Sequence, residues 1–191
     1  MIKDKRFDEK LYLLPAAQNT DKEALVPEDV TAIVTALKEE FDFVIIDCPA
    51  GIESGFKNAI AGADGAIVVA TPEISSVSDA DRVVGLLEET EMQIAPRLVI
   101  NRIRRHMMND GETMDVDEIT KHLSVSLLGI VFDDDAVIKT SNAGEPIVLD
   151  PKNSASQGYR NIARRLLGET VPLMTLKEKK IGFWGRLFGK K

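Results

Sequence analysis

Short runs of Val, Ile and Leu alternate along this chain with longer stretches whose apolar positions recur every three or four residues. That alternation marks strand–helix–strand units, and the nearly continuous runs suit parallel strands covered on both faces. The pattern predicts strands at residues 11–14, 43–46, 66–70, 98–100, 127–131 and 147–149. It predicts helices at 27–40, 54–63, 78–89, 116–123, 135–142 and 154–167. Pro27 suits a helix first turn. Gly144 and Gly168 fall just past helix ends, where a left-handed residue is common. The expected fold is α/β, a doubly wound, mostly parallel sheet. Residues 1–168 would form the domain, 169–176 a linker and 177–191 an appended amphipathic helix.

One strand ends in chemistry. FDFVIIDCPAGIES, residues 41–54, runs from an apolar stretch onto Asp47 and then breaks at Pro49, Ala50 and Gly51. Ligands of doubly wound sheets sit beyond the carboxyl ends of the strands. Asp47 there suits a magnesium ion, and Gly51 lets backbone N–H groups approach a phosphate. A strand-ending aspartate that braces a turn or caps a helix is the alternative. A nucleotide site also needs a phosphate loop of the form GxxxxGK[ST]. No window of these 191 residues has it, and the only Gly-Lys pair is Gly189–Lys190.

Composition adds little until the charge is mapped. The net charge is −7, but residues 177–191 hold six basic residues and one acid, so that tail carries +5 and the rest −12. An acidic body argues against general nucleic-acid binding, while the tail suits a local anionic partner. No segment approaches the ~18 continuous apolar residues of a membrane span. The single cysteine, Cys48, allows no internal disulfide and reads as a packed thiol in a reducing setting.

YLLPAAQNTDKEAL, FDFVIIDCPAGIESG, TPEISSVSDADRVVGLL, INRIR, SNAGEPIVLD and the basic-aromatic tail together resemble the bacterial septum-site-determining ATPases, the MinD family of the ParA/MinD class with a deviant phosphate loop. The resemblance covers nearly the whole chain. It implies a P-loop NTPase fold here without its first strand and lysine-bearing loop, so the chain reads as a fragment of such a protein. It implies ATP and Mg2+ as cofactors, with Asp47 organising magnesium through water. Pro49, Ala50 and Gly51 would form the switch that senses the terminal phosphate, which gives Asp47 and Gly51 catalytic roles. Asn101 and Arg102 would lie against adenine, where the residues alone read equally as an exposed basic turn. Phe132 stands where the family commonly has proline or a small residue. Without the loop lysines that stabilise transferred phosphate, this chain alone is expected to be inactive.

The resemblance further implies partners and a location. Ser75, Asp79 and Asp81 would face the division inhibitor MinC, although capping and acidic first-turn residues also account for them. MinE or another topological regulator, anionic lipids and an ATP-dependent homodimer complete the set, with no nucleic acid. The expected location is the bacterial cytoplasm, on the cytoplasmic face of the inner membrane. Asp133, Asp134 and Asp135 read as a helix cap rather than a metal cluster. His106 and His122 read as solvated, and GIESG is not a GxSxG nucleophile turn.

In the tail, Ile181, Phe183, Trp184, Leu187 and Phe188 fall within an arc of about 160° on a helix, with Arg186 and Lys190 on the rest. An aromatic face with a basic rim suits an interfacial membrane anchor. A helix docked on its own domain is the alternative. The competing functions are a ParA-like partitioning ATPase, a flagellar-placement ATPase and a non-enzymatic membrane adaptor.

Overall fold

The computed structural model describes residues 1–8, 10–15, 25–49, 51–104, 106–107 and 113–174. The chain forms two compact units, Met1–Ala63 and Asp64–Lys191.

In the first unit, β1 (Ile2–Asp4) and β2 (Leu11–Leu13) pair antiparallel, Ile2 opposite Leu13. The strand expected at 11–14 therefore belongs to a hairpin and not to a parallel sheet. Tyr12 meets Phe41 edge to face at 5.1 Å. Helix α1 (Pro27–Lys38) begins on Pro27, whose fixed φ and missing N–H suit that position. It packs on α2 (Ser54–Ala61), and the Thr31 hydroxyl donates to the Ala61 carbonyl at 3.2 Å.

The run at 43–46 is not a strand. It keeps the alternation of one, with Phe43 and Ile45 exposed and Val44 and Ile46 half-buried, but it has no ladder partner among the described residues. Alternation supplies two faces, whereas a strand also needs a neighbour for its N–H and C=O groups.

The second unit holds a parallel sheet in the order β3 (Ile67–Ala70), β4 (Arg97–Ile103), β5 (Ser126–Phe132). Helix α3 (Ile74–Glu88) buries Val77, Ala80, Val84 and Leu87 and packs on β3 and on α4 (Val116–Leu123). Helix α4 opens with a capping box. Asp115 accepts from the Asp117 N–H at 3.1 Å, and Glu118 accepts from the Asp115 N–H at 3.1 Å. Helices α5 (Asp135–Asn142) and α6 (Ser154–Leu166) follow β5.

Helix α6 lies on β5. Val99, Leu128, Val131, Ala155 and Ile162 make one buried cluster there. Leu98 and Ile100, fully buried, flank Val99 on β4 and so face the other side of the sheet. Both faces are thus covered, as a doubly wound sheet requires, and the α/β expectation holds. A Cβ on Gly129 would stand 2.5 Å from Ile162 Cγ1, and one on Gly158 would stand 2.9 Å from the Ile130 carbonyl oxygen. Those two glycines let strand and helix approach closely.

Two further expectations are corrected. Residues 147–149 form a 3-10 turn after Pro146, and Asp150 N–H closes it on the Ile147 carbonyl. Proline pre-sets a turn conformation there, and no strand among the described residues lies alongside. Helix α3 starts at Ile74, four residues before the expected 78. Gly144 and Gly168 take the left-handed conformation expected of them, with φ of 72° and 85°. No helix among the described residues is long and apolar enough to cross a membrane.

Candidate nucleotide and partner sites

In the first unit, Asp47, Cys48 and Pro49 are exposed and lie outside any helix or strand, two residues short of Gly51. Gly51 has φ of 100°, outside the range L side chains favour, with open space around it. Helix α2 begins three residues later without a side-chain cap. A Cβ on Gly55 would meet Pro49 Cγ at 2.7 Å, so Pro49 sits directly against the first turn of α2. Ala50 lies outside the described residues.

Cys48 is exposed and not packed as expected, because the segment that carries it has no ladder to bury it. Its thiol donates to the Pro49 carbonyl at 3.4 Å. Partial shielding from water, and then the Asp47 charge, push its pKa up.

Among the described residues no three His, Cys, Asp or Glu side chains gather to hold a metal. A lone exposed carboxylate nevertheless fits magnesium, which keeps several waters and takes one or two carboxylates plus substrate phosphates. Asp47 is thus chemically suited to contact the ion through water.

In the second unit, Asn101 and Arg102 lie where β4 carries one extra residue. Ile100 pairs with Ile130 and Ile103 with Phe132, so three steps on β4 match two on β5. Such bulges re-aim side chains at strand ends. Arg102 has φ of 57°, uncommon for a residue with a side chain. The Asn101 Oδ1 accepts from the Arg102 N–H at 2.9 Å and braces that turn.

The structure adds two residues to this pair. Asp133, just past β5, accepts from Arg104 Nε at 2.6 Å and from Arg102 Nε at 3.4 Å. Its N–H also donates to the Ile103 carbonyl at 3.0 Å. The hydrogen bond from Arg104 is the main reason the Asp133 pKa lies below the ordinary carboxylate range, and Arg102 adds to it. Arg104 is pushed up in turn by Asp133. Ile103, Arg104, His106, Phe132, Asp133 and Ser154 line an open groove of about 260 Å3 beside them. Phe132 itself is buried, so its departure from a smaller residue is absorbed by the core.

The three consecutive acids divide their work. Asp133 pairs with arginines, while Asp134 caps α5 by accepting from the Ala136 N–H at 2.9 Å. Asp134 also accepts from Asn153 Nδ2 at 2.8 Å, and Asn153 caps α6 through the Ala155 and Ser156 N–H groups. The starts of α5 and α6 therefore share one hydrogen-bonded joint. Sequence reading missed the Arg104–Asp133 pair and the Asp134–Asn153 pair, because partners 29 and 19 residues apart carry no local signal.

Ser75, Asp79 and Asp81 are all exposed on α3. Ser75 and Asp79, four apart, share the outward face, and Asp81 projects about 160° away from Asp79 along a flank. None of them caps the helix. Glu73 is its N-cap, without a side-chain bond, and Ser76 Oγ instead accepts from the Thr71 N–H at 2.9 Å. The tail residues Ile181, Phe183, Trp184, Arg186, Leu187, Phe188 and Lys190 lie outside the described residues.

A family model described as ParA, NUBPL iron-transfer P-loop NTPase, matches residues 27–167. The septum site-determining protein MinD of Bacillus subtilis (strain 168) is 64% identical over 187 residues, covering 98% of this chain and 70% of that protein. This chain belongs to the MinD family. Its class is accordingly that of the P-loop ATPases.

Two solved MinD structures extend the likeness to the fold. A MinC:MinD cell division protein complex from Aquifex aeolicus aligns with a TM-score of 0.76 at 39% identity, over 80% of this chain and 63% of that one. MinD of Pyrococcus horikoshii OT3, complexed with Mg-ADP, aligns with a TM-score of 0.65 at 25% identity, over 73% of this chain and 56% of that one. The chain thus spans roughly two-thirds of the length of its MinD relatives.

Proposed function

We propose that this chain serves in division-site selection as part of a MinD ATPase that binds ATP with Mg2+, dimerises, sits on the cytoplasmic face of the inner membrane and recruits MinC. The 64% identity to the Bacillus subtilis protein over 98% of the chain is the observation that carries this reading. MinE or another topological regulator would reset the cycle.

Each part has residues to carry it. Asp47 would hold magnesium through water, and Pro49, Ala50 and Gly51 would respond to the terminal phosphate. Asn101 and Arg102, held by the β4 bulge and by Asp133, would frame the adenine. The outward face of α3, with Ser75 and Asp79, and the flank with Asp81 would meet MinC. Ile181, Phe183, Trp184, Leu187 and Phe188 would enter the lipid interface, and Arg186 and Lys190 would meet anionic headgroups. The bound magnesium would neutralise phosphate charge.

The lysine-bearing phosphate loop is not among these 191 residues. The chain alone is therefore expected not to turn over ATP. Titration with a fluorescent ATP analogue and magnesium tests this, run beside a version extended by a family-type amino-terminal segment. Binding by the extended chain only is the expected result. Comparable binding by the 191-residue chain would show a phosphate-holding element elsewhere and sink this assignment of roles.

A further inference from the structure

Helix α6 ends in an arrangement that the nucleotide and MinC surfaces do not use. Gly168 takes a left-handed turn, and its N–H donates to the Arg165 carbonyl at 3.1 Å. Glu169 then folds back, its N–H bonding the Arg164 carbonyl at 3.0 Å and its carboxylate accepting from Arg164 Nε at 2.7 Å. The chain continues beside Arg165. The Arg165 guanidinium donates to three backbone carbonyls: Leu128 from Nη1 at 3.0 Å, Val171 from Nε at 2.9 Å and Pro172 from Nη2 at 2.8 Å.

The acceptors belong to two separate segments. Leu128 is the extra residue where Leu98 pairs with Leu127 and Val99 with Gly129, so it stands outside regular ladder pairing. Val171 and Pro172 lie in the segment after α6. Gly129 makes room for the contact, since a Cβ there would sit 3.0 Å from Arg165 Nη1. A planar fork of donors suits three carbonyls at once, which a lysine ammonium on a flexible stem matches poorly. Burial of the guanidinium pulls the Arg165 pKa down, with Arg164 adding to it. Arginine remains charged nonetheless.

We infer that Arg165 is a positioning residue that latches residues 171–172 to β5 and so fixes the point from which the carboxyl-terminal tail departs. The fixed point lies near the amino-terminal end of β5. Asp133 is five residues further along, roughly 16 Å away at strand rise, so the tail departs remote from the Arg102–Asp133 cluster. With the latch closed, the chain is held as far as Pro172. With it open, the chain is released from Thr170, just beyond the bonds that Glu169 makes to Arg164, and the tail gains roughly 10 Å of reach. The inference rests on the proposed role of the tail as a membrane anchor only for its purpose, since the latch itself lies wholly within the described residues.

Spin labelling of the full chain tests it. Cys48→Ser removes the only native thiol, and Leu173→Cys places the label on an exposed residue just beyond the latch. The label is expected to be motionally restricted when Arg165 is intact. Arg165→Gln should shorten its correlation time at least about threefold, into the fast-loop regime. Arg165→Lys should restore part of the restriction. Unchanged line shapes in both variants would overturn the latch. If Arg165→Gln fails to fold by circular dichroism, Arg165→Lys against the parent decides by the same line shape.

Co-sedimentation with vesicles of anionic phospholipid, with Trp184→Ala as control, separates the two ideas. A restricted label in a chain that ignores vesicles removes the anchor reading and keeps the latch. A mobile label in a parent that binds vesicles removes the latch and keeps the anchor.

Discussion

At the scale of single residues, the carboxyl end of β4 is governed by charge. Asp133 is held ionised by Arg104 and Arg102, so its folded-state pKa is depressed relative to the unfolded chain. A depressed carboxyl contributes stability that is complete above the unfolded value, about 3.9, and is lost as pH falls through the folded value. Asp133→Asn should therefore flatten the loss of stability with falling pH between about pH 5 and 2, and change little near neutrality beyond a constant offset. Urea melts of the two proteins across that range check it; parallel pH profiles would remove Asp133 from the account. The same carboxylate holds the side chain of Arg102, whose left-handed backbone Asn101 braces from below. Nothing in the string INRIR announces that conformation. The bulge that creates it arises only when two strands of unequal residue count are laid side by side.

At the scale of elements, the helices were far more legible than the strands. Helices α4 and α5 occupy 116–123 and 135–142 as their patterns predict, because a helix satisfies its own backbone and its caps, Asp115 and Asp134, are local. A strand is a contract with a neighbour. Residues 43–46 carry a strand-like alternation but have no partner among the described residues, and residues 147–149 follow a proline that turns the chain. The start of α3 was missed because Glu73 caps it without a side-chain bond, leaving no signature to read.

The α6–β5 contact sets the tightest demand on sequence. Gly158→Ala would place a methyl group 2.9 Å from the Ile130 carbonyl oxygen, a backbone atom that cannot swing aside. The expected cost is about 1–3 kcal/mol, read as a lower urea midpoint, and an unchanged midpoint would mean that the helix can slide on the strand.

At the scale of the whole molecule, family membership was legible because several motifs occur in order along nearly the entire chain, and the identity to Bacillus subtilis MinD bears that out. The candidate site was legible only in part: Asn101 and Arg102 could be named as candidates, while the Arg104–Asp133 pair and the Arg165 contact needed three dimensions. Partner recognition belongs at this scale too. Asp79 lies on the outward face of α3 and Asp81 on its flank, both exposed and neither engaged in capping. Charge reversal by Asp79→Lys or Asp81→Lys should lower MinC capture in a pull-down several-fold, while vesicle co-sedimentation stays as before. Full MinC capture by both variants would move the docking surface elsewhere.

The sheet of the second unit also bears on how the polypeptide comes into being. Its strands stand side by side in the order in which they occur along the chain, β3, β4, β5. Each new strand pairs with the one that precedes it in the chain, so the segments that must close are those between successive strands. Among the described residues no strand has to be held open for a later one to insert. For a polypeptide emerging from the ribosome amino end first, these three strands can pair in turn by addition at one edge, and α6 then arrives to cover β5.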